Sequence, residues 1–378
     1  MPTDFESIEK TIRDIRRKAE KQRAKSREVL ENLEFPGEGH GRKPIGDFID
    51  SSFLFIRSTQ TDNGARQLPS GTVFWLSPDI RIRPITGVGS YTQTLEAGRT
   101  YDVEVQLRNR GDLAVPSAKV ELFLTDPTIG FDTRFADKIG LSSNWVPGIG
   151  SGKVNISYTV PSSAAGHKCM IARTFSLSPL EMPLDDTNLN PMLDRHVAQL
   201  NLNILAAGAP MQFNIIHQPN FEGRVELRPA ALQDLMATGH PALAAMRYVE
   251  FKELPAGLLR EMRFEHISGD RDAVSLKHDG RALRFRSRGD GPSLSEQKEI
   301  AELRESALKA IGSGEAKPSA FKDVFAAHRK LGKSVARDTF MMETPKLRLA
   351  EGQASAVNLQ ITSSLGELLG GITLLLIG

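Results

Sequence analysis

The chain of 378 residues carries 48 Lys and Arg against 46 Asp and Glu, which gives a formal net charge of only +2. A charge so close to zero excludes a global electrostatic attraction to nucleic acid. The one cysteine excludes an intramolecular disulfide, and no apolar run reaches the ~18 residues that a membrane-spanning helix needs.

Residues 1–34 are predicted to form a charged amphipathic helix. Its large apolar side chains recur every three or four residues along one narrow seam: Phe5, Ile8, Ile12 and Ile15. The charged residues on the other faces either form an ordinary solvated surface or help the helix to dock on another subunit or an acidic partner. We expect intermolecular docking, because the flexible break at residues 36–41 gives the helix reach.

The N-terminal residues lack the apolar core of a secretory signal peptide. This composition predicts a cytoplasmic protein. Export by a non-classical route and residence within a particle are the alternatives.

Residues 74–206 have the pattern of a self-contained antiparallel β-sandwich. Short runs of alternating apolar and polar residues, such as the one that begins at Tyr101, are separated by Gly, Pro, Asn and Asp. Cys169 lies in such a run and is predicted to be a small buried side chain. Trp75 and Trp145 lie beside predicted strands, so both are expected to be at least partly buried.

The motifs of this segment follow a recognisable order: Trp75 with Ser77-Pro78-Asp79-Ile80, a strand into Asn109-Arg110-Gly111, Trp145 before a strand, and a closing His196-Val197-Ala198-Gln199. This order resembles the CARDB type of bacterial immunoglobulin-like domain, the cell-adhesion-related domain found in bacteria. The resemblance covers about a third of the chain. It implies a sandwich of about seven strands that mediates adhesion or assembly, and it implies no catalytic residue.

One loop of the sandwich concentrates oxygen ligands within ten residues: Asp185, Asp186, Asn188, Asn190 and Asp194. Calcium binds about six to eight such oxygens on an irregular backbone. Asn and Asp are also common in turns for conformational reasons alone. The loop is therefore either a calcium site or a structural turn, and calcium is the one cofactor that the sequence suggests.

Residues 207–378 are predicted to form a second β-sandwich, with a helical insertion at about residues 293–332. Apolar alternation recurs throughout, and Ser293 and Glu296 have the spacing of a capping box at the start of the insertion. A second, short helix is predicted within residues 229–247.

A basic strand lies just before the insertion. Arg284, Arg286 and Arg288 share one face of it, opposite Leu283 and Phe285. The arginines form either an ordinary solvated face or a site for a polyanion or an acidic protein.

The predicted fold class is mainly β: two immunoglobulin-like antiparallel β-sandwiches, with an N-terminal helix and a helical insertion in the second domain. Its segments are the helix at 1–34, a linker with a short strand at 35–73, the CARDB-like sandwich at 74–206 and the second sandwich at 207–378.

Catalytic motifs are absent from the sequence. No HExxH pair and no Gly-x-Ser-x-Gly elbow occurs. Asp79, His196 and a serine are conceivable members of a dispersed hydrolase site, but nothing in the sequence selects them. We therefore predict no catalytic residue.

These patterns predict a non-enzymatic structural or adaptor protein of a larger bacterial complex. It would act through protein–protein assembly by its sandwiches and its N-terminal helix, as a homo- or hetero-oligomer. A carbohydrate- or surface-binding module, which calcium would assist, is the alternative. A hydrolase with an unrecognised site is the third hypothesis.

Overall fold

The computed structural model describes residues 48, 50–85, 91–218, 220–243, 249–254, 263–269, 274–278, 282–287, 293–312, 335–344 and 347–378. All of them belong to one unit, Pro44–Gly378. The predicted N-terminal helix lies outside these ranges, and so do the following residues of interest: Phe5, Ile8, Ile12, Ile15 and Arg288. The last part of the predicted insertion also lies outside them.

The first half of the structure forms strands where apolar residues alternate with polar ones, because successive side chains of a strand point to opposite faces. Its strands are β1 (Leu54–Phe55), β2 (Ile80–Pro84), β3 (Thr94–Leu95), β4 (Thr100–Asn109), β5 (Val115–Thr125), β6 (Thr128–Ile129), β7 (Asp137–Val146), β8 (Gly150–Thr159), β9 (Gly166–His167), β10 (Cys169–Phe175) and β11 (Val197–Leu200). Short 3-10 helices occur at Thr133–Phe135, Ser162–Ala164 and Pro179–Glu181.

Two antiparallel sheets share the core of this half. In sheet A, β4 lies between β8 on one edge and both β1 and β2 on the other, and sheet B has the order β11-β10-β5-β7. The buried side chains of β4 and β5 belong to one apolar cluster, which includes Val103, Val105, Val120 and Leu122. The short strands β3 and β9 pair with each other beside these sheets.

The second half contains the remaining strands and the two described α-helices. They are β12 (Leu202–Ala206), β13 (Pro210–His217), β14 (Glu222–Pro229), α1 (Leu232–Ala237), β15 (Glu250–Phe251), β16 (Arg263–Ser268), β17 (Val274–His278), β18 (Ala282–Ser287), α2 (Leu294–Gly312), β19 (Ala336–Glu343), β20 (Gln353–Ser363) and β21 (Leu368–Ile377).

Two further sheets share the core of the second half. Within the described residues, sheet C has the order β12-β21-β20-β14-β18-β17 with β15 against β20, and sheet D has the order β16-β19-β13-β6. Their apolar cluster includes Phe213, Phe285, Phe340 and Leu374. Most pairs are antiparallel, whereas β12–β21, β6–β13 and β15–β20 are parallel. A mainly β protein with antiparallel sheets is therefore confirmed.

The two halves exchange strands. β6 lies in sequence between two strands of sheet B, yet it pairs with β13 of sheet D. β12 follows β11 after a single residue, yet it pairs with β21 of sheet C. The chain thus crosses from one half to the other at Asn201, ahead of the boundary that the small residues after 206 suggest.

Asn201 connects three segments at this crossing. Its fully buried side chain donates from Nδ2 to the carbonyl oxygens of Thr128 at 2.6 Å and Gly371 at 3.0 Å. Its backbone N–H donates to the carbonyl oxygen of Trp75, and its own carbonyl oxygen accepts from the N–H of Thr373. Buried backbone groups need partners, and this one asparagine supplies several of them.

Trp75 packs against the same crossing and is fully buried, as expected from the sequence. Its Nε1 donates to Thr373 Oγ1 at 2.9 Å, and that hydroxyl donates to Asn358 Oδ1 at 2.7 Å. A Cβ on Gly371 would come within 2.5 Å of the indole ring, so only glycine fits beneath it. The junction is therefore packed as tightly as either core.

His240 forms a second connection between the halves. Its buried Nε2 lies 3.2 Å from the carbonyl oxygen of Ile80, and its Nδ1 accepts from the N–H of Ala242 at 3.2 Å. Only a neutral ring with its proton on Nε2 satisfies both contacts. Burial accordingly lowers the pKa of His240 to about 4.

The described helices agree with the sequence patterns. α1 lies within the stretch predicted to form a short helix, and α2 begins at the predicted capping box. Ser293 N donates to Glu296 Oε2 at 2.8 Å, while Glu296 N donates back to Ser293 Oγ at 3.3 Å. Within the described ranges, no helix combines the length and the apolar character needed to cross a membrane.

Asn201→Ala is expected to lower the free energy of unfolding by about 1–3 kcal/mol, because two buried carbonyl groups lose their donor. The matched control is Asn144→Ala, whose exposed Nδ2 also donates to a backbone carbonyl, that of Lys153. Its loss should change stability by less than about 0.5 kcal/mol, since water can replace it. Urea unfolding curves followed by tryptophan fluorescence measure both values. Equal effects of the two substitutions would contradict the role assigned to Asn201.

The folded protein should lose stability as the pH falls from 6.5 to 4. The pKa of His240 is about 4 in the folded state against 6.5 for the free side chain, so in this interval the unfolded chain binds a proton that the folded chain does not. The stabilisation is complete above pH 6.5, and its loss amounts to about 3 kcal/mol. Unfolding curves of the wild type and His240→Gln at several pH values isolate this contribution. Parallel pH profiles of the two proteins would contradict it.

Candidate binding surface

The outer face of sheet B carries an exposed apolar patch. Leu141 and Trp145 on β7 are 54% and 55% exposed, and Leu177, just after β10, is 79% exposed. Phe175, the last residue of β10, is half-buried. We call Leu141, Trp145, Phe175 and Leu177 the sheet B patch. Large apolar side chains grouped on a surface are typical of interaction sites.

The strand register brings this patch together. Ser143 of β7 and Phe175 of β10 both pair with Lys119 of β5, one from each side. Trp145 lies two residues after Ser143 on β7 and therefore extends this face, and Leu177 lies two residues after Phe175, just beyond the end of β10. Adjacent strands are ~4.8 Å apart, so the patch is about 10 Å wide. Lys119 lies within it, with Nζ 5.7 Å from the centre of the Phe175 ring.

The position of Trp145 differs from the expected one. The sequence predicts Trp145 before a strand and at least partly buried, but it lies within β7, an edge strand of sheet B, and is 55% exposed. Its neighbour β5 shifts register between Val115 and Ala118 and contains Pro116, both features of sheet edges. The sequence signal for β7 is the alternation of Leu141, Ser143 and Trp145. This signal is weak because only one residue of β7 is buried.

The rest of this face is charged or covered. Glu121 on β5 forms ion pairs with Lys138 and Arg173. Burial opposes its ionisation, but these two cations lower the pKa of Glu121 below its usual value. Further along the strands, Phe123 and Ile171 are covered by the loop that carries Leu189 and form a small apolar cluster. The sheet B patch is therefore bounded on one side by ion pairs.

The loop proposed as a calcium site is held by hydrogen bonds of its own. Asp185 Oδ1 accepts from the N–H groups of Thr187 and Asn188, and Asn190 Oδ1 accepts from Met192 N. These contacts belong to turns that Asp and Asn stabilise without a metal.

Asp186 and Asp194, two other residues of the candidate calcium loop, differ in their exposure to solvent. Asp194 is buried in a charge cluster, whereas the Asp186 side chain is 89% exposed. Among the described residues, no group of three or more His, Cys, Asp or Glu side chains is arranged to hold a metal ion. Calcium binding by Asp185, Asp186, Asn188, Asn190 and Asp194 stays a prediction.

His196 lies between two buried carboxylates. Its Nε2 is 3.0 Å from Glu181 Oε2 and its Nδ1 is 2.8 Å from Asp194 Oδ1. Burial would raise the pKa of Asp194, but the charge and hydrogen bonds of His196 lower it to about 2. Burial also opposes ionisation of Glu181, while Arg195 and His196 lower its pKa. Glu181 Oε2 accepts the N–H of Leu54 as well, so the cluster holds β1 against β11.

Asp79, the other residue considered for a hydrolase site, belongs to a separate ion cluster. Its carboxylate accepts from Arg57 at 2.7 Å and from Arg108 at 3.2 Å. It is fully buried and also accepts the backbone N–H of Arg57. Among the described residues, no hydrogen bond joins Asp79 to His196, so the two do not form a shared site.

A cleft of about 110 Å³ lies between loops of the two halves and α2. Phe131 and Asn190 of the first half, His217 and Glu367 of the second half and Gln297 of α2 contribute to its lining. His217 Nε2 is 2.6 Å from Asp338 Oδ2, and the other oxygen of Asp338 is 2.8 Å from His266 Nε2.

Each carboxylate oxygen of Asp338 thus lies within hydrogen-bond distance of a histidine ring nitrogen, and the carboxylate joins the two histidines. Asp338 lies on β19, for which the sequence pattern predicts no strand, so this cluster is not among the predicted site residues. The alternation of Phe340 and Met342, both buried, was the available signal.

The basic strand has the predicted alternation. Leu283 and Phe285 of β18 are buried, whereas Arg284 and Arg286 are exposed. Arg286 NH2 forms an ion pair of 2.8 Å with Glu222 on the neighbouring β14, which offsets part of the positive charge. Binding of a polyanion by Arg284, Arg286 and Arg288 stays a prediction.

The geometry defines a class: a mainly β protein in which two pairs of antiparallel sheets are joined through shared strands. No protein-family model matches the chain, and no curated protein matches it. Among solved structures, the CARDB domain of a Pyrococcus furiosus protein in complex with di-metal ions is 14% identical, with 38% of this chain and 96% of that chain covered and a TM-score of 0.22.

Two other solved structures match with similar scores. A collagen adhesin from S. aureus is 7% identical, with 84% of this chain and 97% of that chain covered and a TM-score of 0.20. A red sea bream transglutaminase is 10% identical, with 79% of this chain and 31% of that chain covered and a TM-score of 0.18. At such TM-scores these likenesses assign neither a fold nor a function to this chain, and the CARDB type stays a resemblance in sequence motifs.

Cys169 should be inert towards thiol reagents in the folded protein. The side chain is fully buried, and burial raises the pKa of its thiol to about 12. Ellman's reagent at pH 8 should label it only after unfolding in guanidinium chloride. A Leu177→Cys variant provides the control, since its exposed thiol should react at once. Rapid labelling of native wild-type protein would contradict the burial.

Proposed function

We propose that the protein is a non-enzymatic structural or adaptor protein that acts through protein–protein assembly. In this proposal its two pairs of sheets are immunoglobulin-like sandwiches, and its partners are copies of itself or other proteins of a bacterial, cytoplasmic complex. The sheet B patch is the observation that carries the proposal. A tryptophan that is 55% exposed and a leucine that is 79% exposed have the character of interface anchors.

The shared strands support an adaptor role. β6 and β12 tie sheets C and D to the first half, and Asn201 hydrogen-bonds across the crossing. Because both halves then move together, a partner bound at the sheet B patch is held at a constant orientation to the second half. Domains that are joined by a short linker alone lack this property.

The buried charges are also consistent with this proposal. His196 pairs with both Glu181 and Asp194, and Asp79 is neutralised by two arginines. Buried charges need such partners because desolvation is costly. Groups engaged in this way hold loops and strands in place, which suits a protein that binds by shape.

The predicted N-terminal helix supplies the second contact. Its seam of Phe5, Ile8, Ile12 and Ile15 would bury apolar side chains worth ~1.5–3 kcal/mol each. The sum, ~6–12 kcal/mol before the entropy of association is subtracted, is sufficient for an interface of moderate affinity. We infer that the helix docks between molecules, a mode of binding that the Gly-rich sequence of residues 36–41 favours.

Deletion of residues 1–34 is expected to lower the oligomeric state of the purified protein, because the apolar seam is removed. Mass photometry over a range of concentrations measures this state. Far-UV circular dichroism should keep its β component and lose only helical signal, because every described residue lies outside the deleted segment. The proposal is wrong if the truncated and full-length chains have the same oligomeric state and bind the same proteins.

A further inference from the structure

We propose that the sheet B patch is the receptor for the N-terminal segment, residues 1–34, of a second copy of this chain. This inference rests on the proposed function and names the surface through which it operates. Each copy would place its apolar seam on the Leu141, Trp145, Phe175 and Leu177 of its neighbour.

Among the residues that the structure describes, no segment covers the exposed side chains of the sheet B patch. Trp145 and Leu177 keep more than half of their surface exposed in the isolated molecule. Leu180 and Met182, which follow Leu177 in the next loop, are 36% and 41% exposed. These neighbours extend the apolar surface beyond β10. We therefore assign its cover to a second chain.

The dimensions of the patch match those of a helix seam. Leu141 and Trp145 are four residues apart on one strand, which is about 13 Å at the rise of a β-strand. Phe5 and Ile15 are ten residues apart, which is about 15 Å along an α-helix. The patch is about 10 Å wide between β7 and β10, and a helix with its side chains has a diameter of about 10–12 Å. One helix laid along β7 therefore covers the patch.

The charges near the patch suit the same segment. Lys119 lies inside the patch, where its ammonium group is placed over the Phe175 ring. Acidic residues flank the first apolar residue of the seam: Asp4, Glu6 and Glu9. A carboxylate beside Phe5 can therefore pair with Lys119 when the seam packs on the patch. Pairs of this kind orient a docked helix more than they strengthen it.

The point at which the N-terminal segment joins the body favours this location. The carbonyl oxygen of Phe48 accepts from Asp112 N, and the Phe48 ring lies 4.0 Å from the Phe53 ring. Three residues after Asp112, Val115 pairs with Val146, the neighbour of Trp145. Phe48, the first described residue, therefore lies near the end of sheet B that carries Trp145.

The same placement permits a reciprocal exchange. The stretch from residue 34 to residue 48 can extend to ~45–50 Å, enough to reach a neighbour whose patch faces this end. Two copies related by a two-fold axis would then cover each other's patches. In such a closed dimer, the apolar side chains of both seams and both patches would be buried.

Disulfide trapping tests the inference in the full-length protein. One chain carries Ile12→Cys and a second, differently tagged chain carries Leu177→Cys, and diamide is the oxidant. The two chains should give a disulfide-linked heterodimer on a non-reducing gel, because cross-linking needs Cα atoms within about 7 Å. The native Cys169 is buried and should stay silent. Replacing Leu177→Cys by Leu303→Cys, at a leucine of α2 that is 57% exposed, provides the control and should give no such product.

Self-association of patch variants provides a second test that does not depend on the yield of the disulfide cross-link. Trp145→Ser with Leu177→Ser should weaken self-association at least tenfold in mass photometry, whereas Leu303→Ser should leave it unchanged. Substitutions of exposed side chains should have little effect on the melting temperature.

The outcomes separate this inference from the proposed function. If the patch variant associates normally while deletion of residues 1–34 abolishes association, the helix docks elsewhere and only the inference fails. Normal association of both proteins overturns the proposed function as well. A chain with both Ile12→Cys and Leu177→Cys that closes a disulfide within one monomer, without the heterodimer, would show that the segment covers its own patch, which also overturns the inference.

Discussion

The crossing at Asn201 is the constraint on which the rest of the structure depends. The chain leaves sheet B and joins sheet C with one residue between two strands, which leaves no room for a loop. The carbonyl groups of Thr128 and Gly371 face this buried residue, and its side-chain amide donates to both. Trp75 then packs on the glycine at 371, where any Cβ would collide with the indole. The two halves are thereby held as one body.

The outer faces of sheets A and B differ in polarity. The outer face of sheet A is covered with ion pairs, such as Arg81 with Glu104 and Arg83 with Asp102. Glu104 is buried, whereas Arg83 is exposed, and exposed pairs contribute little to stability while they keep a surface solvated. One end of sheet B instead presents Trp145 and Leu177 to water. The buried hydrogen bonds of Asn201 and the packing of Trp75 tie this half to the second half, which favours a fixed orientation of the apolar end.

The buried ionisable groups show how much polarity the interior accommodates. Glu181, Asp194 and His196 form one cluster, and Asp338 lies between two histidines. Each cluster joins segments that are far apart in sequence, as in the contact of Glu181 with Leu54 N. In low-dielectric surroundings, an unpaired polar group costs free energy of folding. A hydrogen-bonded cluster therefore favours the one arrangement of strands that brings its members together. These clusters therefore contribute to the choice of fold.

The alternation of apolar and polar residues, readable in the sequence alone, determined much of this protein. It located β4, β18 and β20, the burial of Trp75 and Cys169, and the capping box of α2, because each depends on near neighbours in the chain. Tertiary structure decided the rest. β19 is a strand because it pairs with β13, more than a hundred residues away, and β7 is an edge strand on which Trp145 faces water. The strands that cross between the halves, and the exposure of Trp145, follow from partners that are distant in sequence, and a local pattern of residues does not identify such partners.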